Sequence, residues 1–142
     1  MSAQDNMQFA RSVYDLFDQH QLAKADAYAA ADAVITLVPT GQVFKGREGF
    51  MQFMTGFERA FPDLNITVVN QVATDDMVVS ECTWTGTHTG PLATPAGDIP
   101  PTGKKVSGAR FCEVWRIKDG KLTSLTNYQD MASWLRQLGL VP

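Results

Sequence analysis

Apolar residues follow two periods along this chain, one helical and one extended. Ser2-Ala-Gln-Asp5 has the spacing of a capping box with Asp in place of Glu, and Phe9, Val13, Leu16 and Phe17 then recur at helical intervals. A first helix is expected to about Gln19. Leu22 to Ala30 is alanine-rich and reads as a second, shorter helix, and Ala33 to Val38 reads as a strand ended by Pro39, with a turn at Thr40-Gly41. The clearest helix enters through Gly46-Arg-Glu-Gly49: Phe50, Phe53, Met54, Phe57 and Phe61 line one face and Pro62 closes it. The period then changes to two. Strands are expected over Asn65–Ala73, Met77–His88, Lys105–Lys118 and Lys121–Tyr128, with turns at Asp75-Asp76 and Asp119-Gly120. A last amphipathic helix, Met131 to Leu138, stops at Gly139. Helices first and hairpin-linked strands afterwards predict an α+β domain, with helices covering one face of a curved antiparallel sheet. One long irregular segment, Thr89 to Gly103, holds four of the seven prolines and reads as a mobile lid, interface or spacer.

Strict alternation sorts side chains between the two faces. In the Met77–His88 strand it groups Val78, Ser80, Cys82, Trp84 and His88 on an interior face, against Glu81, Thr83, Thr85 and Thr87. In the last strand it groups Leu122, Ser124, Thr126, Tyr128 and Asp130. Asp130 stands at a strand-to-helix junction, so it is either a helix N-cap or a catalytic group. A cap sits in water and accepts from a backbone N–H two or three residues on. A catalytic carboxylate faces an apolar pocket that raises its pKa. His88 reads equally as a strand-end residue bonded to the following loop and as a ligand contact, and the aromatic stripe of the second helix as core or as a pocket wall.

Composition narrows the alternatives. The length of 142 residues suits one domain, with 44% hydrophobic and 19% charged residues, as in ordinary globular proteins. A net charge of −3 and scattered basic residues argue against nucleic acid. No stretch approaches the roughly 20 apolar residues of a membrane span, and the N-terminal residues do not read as a signal peptide, so a cytoplasmic location is expected. Cys82 and Cys112 lie inside strand-like runs and are expected to be buried free thiols. The only histidines, His20 and His88, lack metal-ligand spacing, no glycine-rich loop offers a nucleotide cradle, and no Ser or Cys sits in a nucleophile-elbow sequence.

Five segments in order resemble one family: Ala60-Phe-Pro-Asp-Leu64, Gly86-Thr-His-Thr-Gly-Pro91, Ile99-Pro-Pro-Thr-Gly-Lys104, Trp115-Arg-Ile-Lys-Asp-Gly-Lys121, and Asp130 followed by Leu135-Arg-Gln-Leu-Gly139. Together they resemble the SnoaL-like polyketide cyclases, or ester cyclases, of the NTF2-like superfamily, from about Gln8 onward. Ser124-Leu-Thr126 stands where many members carry an acidic-His-Trp run. The resemblance implies a cone-shaped α+β barrel around one deep apolar cavity, commonly paired into a homodimer through the sheet. It implies Asp130 as general acid/base of an intramolecular aldol closure without cofactor or metal, on a small apolar oxygenated metabolite such as a polyketide-like ester. His88 joins Asp130 as a catalytic candidate, with Arg110, Asn127 and Tyr128 as further donors to an enolate. Tyr14, Phe17, Phe53, Phe57, Trp84 and Trp115 are the expected substrate contacts. The alternatives are an isomerase or hydrolase on the same cavity, or a ligand-binding dimeric module in which Asp130 only caps its helix.

Overall fold

A computed structural model describes all 142 residues. Helix α1 (Ala3–Asp18) starts at the expected capping box: Ser2 Oγ accepts from the Asp5 N–H at 3.0 Å and Asp5 accepts from the Ser2 N–H at 3.2 Å. The alanine-rich run forms a 3-10 segment, Leu22–Tyr28, and its last residues already belong to strand β1 (Ala29–Leu37). A short strand β2 (Gln42–Lys45), missed by periodicity because it offers only four residues, pairs back on β1 before helix α2 (Gly46–Ala60). Gly49 is needed there, because a Cβ would lie 2.7 Å from the Phe44 carbonyl carbon.

Strands β3 (Asn65–Ala73), β4 (Met77–Thr87), β7 (Lys105–Lys118) and β8 (Lys121–Gln129) form the expected antiparallel meander. Strand β1 joins it parallel to β8, giving the order β2-β1-β8-β7-β4-β3. The sheet curves without closing, with β2 and β3 as its edges. Register shifts interrupt four of the strand pairs, and such bulges bend strands and strengthen twist. Helices α1 and α2 cover the inner face, where Val13, Phe50, Ile35, Trp115 and Leu125 belong to one continuous core.

The Thr89–Gly103 segment is more ordered than its composition suggests. It holds a small hairpin, β5 (Leu92–Thr94) with β6 (Gly97–Ile99), anchored by buried Leu92. The Gly90 N–H donates to the Ala60 carbonyl at 3.2 Å, and Arg59 pairs with Asp98 at 3.5 Å. Cys82 and Cys112 are free thiols; Cys82 is buried, whereas Cys112 is half-buried on the opposite parity. No helix is long and apolar enough to cross a membrane.

Candidate active site

Alternation in β7 places Phe111, Glu113, Trp115 and Ile117 on the inner face, against exposed Arg110, Arg116 and Lys118. A glutamate is thereby carried into the core with three large apolar residues. Glu113 is 4% exposed, and it forms part of the wall of a narrow cavity between the sheet and the helices. Helix α1 contributes Val13 and Phe17, α2 contributes Phe50, Phe53, Met54 and Phe57, and β3 and β4 contribute Ile66 and Trp84. Strand β8 supplies Leu125, Asn127 and Gln129. About 60 Å³ is open to the centre of a water molecule, enough for several waters without moving a side chain. No Lys, Arg or His lines this space.

Glu113 is held from both sides. The Tyr14 hydroxyl donates to Oε1 at 2.8 Å and Asn127 Nδ2 donates to Oε2 at 2.8 Å. Behind Tyr14, the Trp115 indole N–H donates to the phenol oxygen at 3.0 Å. Behind Asn127, Gln129 Nε2 donates to Asn127 Oδ1 at 2.9 Å, and Trp134 Nε1 donates to Gln129 Oε1 at 2.7 Å. Burial pushes the Glu113 carboxyl above the usual range, and the donors from Asn127, Tyr14 and Trp115 pull it partly back. Tyr14 is held well above its ordinary value, first by burial and then by the Glu113 charge. The Cys82 thiol is pushed up to about 12, chiefly by burial.

Of the site residues named from sequence, Phe17, Phe53, Phe57, Trp84, Trp115 and Asn127 line the cavity, and Tyr14 stands immediately behind Glu113. Four expected site residues lie elsewhere, three of them together. Arg110, Tyr128 and Asp130 border a shallow groove on the sheet face turned away from the helices. Asp130 is exposed and accepts the Ser133 N–H at 3.1 Å as N-cap of helix α3 (Met131–Gln137), so the apolar surroundings expected of a catalytic Asp130 are absent. The cause is a bulge. Arg116 pairs with Ser124 but Ile117 with Leu122, so Thr123 is an extra residue, and the inner face of β8 passes from Leu122 to Leu125, Asn127 and Gln129. Strict alternation had put Asp130 on the Leu122 side; the extra residue sends Ser124, Thr126, Tyr128 and Asp130 outward.

His88 is fully buried but does not line the cavity. Its Nδ1 accepts the Thr102 N–H at 3.1 Å, which leaves the ring proton on Nε2, a buried atom without a partner. The ring lies 5.4 Å from Phe61, and burial lowers its pKa. This is the loop-bonded reading of His88. Glu113, Gln129 and Trp134 were not picked out from sequence. For Glu113 the signal was present: an acid at the apolar parity of Phe111, Trp115 and Ile117.

Residues 7–138 match the family model described as SnoaL-like polyketide cyclase. Among solved structures, the chain is similar to AclR from Streptomyces galilaeus, for which a hydroxylase role has been suggested, with 24% identity, TM-score 0.83, and 99% of this chain and 89% of that one covered. It is also similar to IdmH from Streptomyces antibioticus, for which a polyketide-cyclase role has been suggested, with 28% identity, TM-score 0.75, and 94% and 97% covered. A hypothetical protein with a ketosteroid isomerase-like fold from Catenulispora acidiphila is similar at 18% identity and TM-score 0.72, with 94% and 93% covered. Likenesses below 25% speak for the fold alone. No curated protein matches the chain.

Proposed function

The chain belongs to the SnoaL-like polyketide cyclase family, and from that premise we propose a cyclase in which Glu113, rather than Asp130, moves the proton. The observation that carries this reading is a single buried carboxylate, raised in pKa by desolvation, in the wall of an aromatic-lined cavity. A carboxyl lifted toward neutrality is a usable base and, once protonated, a usable acid, contributing on the order of 10² to 10⁴ in rate.

In the intramolecular aldol closure, Glu113 takes a proton from the carbon beside one carbonyl, whose oxygen gathers the enolate charge. The α-carbon then bonds to a second carbonyl carbon. Glu113 returns its proton to the resulting alkoxide, so the reaction consumes no other reagent. Each primary amide has two N–H groups, and Asn127 and Gln129 direct one each along the network. Their second N–H groups, on two residues of the cavity wall, are the donors assigned to the enolate oxygen. The absence of any cation in the lining favours a neutral oxygenated ligand over one bearing a carboxylate. Proton return to carbon instead of ring closure would give an isomerase from the same first step.

Glu113→Gln keeps the side-chain shape and removes the base. Turnover of a test ester that carries, besides its acidic α-carbon, a ketone placed to close a six-membered ring is expected to fall at least about 100-fold, with ligand binding, read by quenching of tryptophan fluorescence, retained. Turnover at the wild-type rate in Glu113→Gln would sink the assignment.

A further inference from the structure

An indole N–H can donate a hydrogen bond and cannot accept one. Trp134, fully buried in α3 against Trp84 at 5.7 Å and Phe61 at 5.9 Å, aims that N–H at Gln129. The atom of Gln129 facing it must therefore be the oxygen, at 2.7 Å. Its NH₂ is thereby turned to Asn127, whose facing atom must in turn be Oδ1, at 2.9 Å. That leaves the NH₂ of Asn127 for Glu113 Oε2, at 2.8 Å. Neither amide can flip alone without setting donor against donor or oxygen against oxygen. A second donor-only group stands at the other end: the Trp115 N–H occupies the Tyr14 oxygen at 3.0 Å, and the phenol's own proton points to Glu113 Oε1.

We propose that Trp134 is a positioning residue for the cavity carboxylate: acting through Gln129 and Asn127, it fixes the direction of the hydrogen-bond chain so that Glu113 is met by donors. This deepens the reading of Glu113 as the proton carrier and rests on it for its functional meaning. It also gives the junction motif a role. Asp130, by capping α3 at Ser133, seats the helix that carries Trp134 one turn on. The other titratable groups that sense the Glu113 charge are Tyr14 from α1, Cys82 from β4 and Cys112, its neighbour in β7 on the opposite parity. The cavity-lining residues of α2, β3 and β8 are all non-ionisable, so a change in amide direction registers on Glu113 itself.

The test follows the Glu113 carboxyl directly, by ¹³C NMR of protein labelled at glutamate carboxyls, with Glu113→Gln identifying the resonance. In Trp134→Phe the amides lose their fixed direction, and the Glu113 titration is expected to move up by about one pH unit. Gln129→Met, at a half-buried position that leaves Trp134 in place, cuts the same chain and is expected to move it likewise. This second variant carries the test if the loss of a buried indole prevents folding. Asp130→Asn, which still caps, is expected to leave the titration at its wild-type position. An unchanged Glu113 titration in either folded variant overturns the relay. Because the readout is the carboxyl and not turnover, failure of the relay and failure of the Glu113 assignment are distinguishable.

Discussion

Burial ties the proposed chemistry of Glu113 to the stability of the fold. Its pKa is raised in the folded state, so the folded protein holds this proton more tightly than the unfolded chain does. The associated stability is fully present below the ordinary glutamate value of 4.5 and is lost as pH rises through the higher folded value. Urea midpoints measured against pH should decline over that window in the wild type, and the decline should be smaller in Glu113→Gln. A parallel pair of profiles would show that Glu113 ionises as it does in water. Asp130 is the contrasting residue, a carboxylate whose observed task is local. Asp130→Asn should leave stability within a few tenths of a kcal/mol of the wild type, whereas Asp130→Ala should lose about 1 kcal/mol with the cap. Thermal unfolding of the two variants checks both values. Equal losses would mean that charge, and not capping geometry, is what the position supplies.

At the scale of elements, the sequence was legible where a period ran uninterrupted. The capping box of α1, the aromatic face of α2, the four-strand meander and the inner parity of β4 all follow from patterns held over many residues. It was not legible where one inserted residue changed the count. Thr123 moves the β8 interior from Leu122 to Asn127 and Gln129, and no local feature of Leu122-Thr-Ser-Leu125 announces the bulge. The parallel β1–β8 pairing is equally silent, because it joins segments far apart in sequence. The hairpin after His88 yields a test at this scale. A Cβ on Gly90 would collide with the Arg59 carbonyl oxygen, a backbone atom that cannot step aside. Gly90→Ala must therefore lift β5 and β6 from the end of α2, costing about 1–3 kcal/mol, as overpacking does. Limited proteolysis between Leu92 and Ile99 should quicken in this variant; cleavage at the wild-type rate would show that the hairpin is not held through this contact.

The whole molecule has one face committed to the cavity and one still uncovered. On the face turned away from the helices, Val69 is 64% exposed and Tyr128 is 50% exposed beside a shallow groove, with Glu81 and Arg110 bordering the same groove. The composition of this surface, apolar residues between charges of opposite sign, leads to the prediction that it pairs with a second copy of the chain. A two-fold axis presents the same patch from both copies, so a Glu81 and an Arg110 can each meet its opposite across the axis. A second copy seated there would cover the groove that Asp130 borders and leave the residues of the cavity wall untouched, so assembly and chemistry can be tested separately. Sedimentation should therefore give a dimer for the wild type and a monomer for Val69→Lys, with the Glu113 titration unmoved. Arg110→Glu should weaken the dimer and Glu81→Arg in the same chain should restore it. A wild type that sediments as a monomer, or a swap that fails to rescue, would leave this face without the partner its charges and exposed side chains suit.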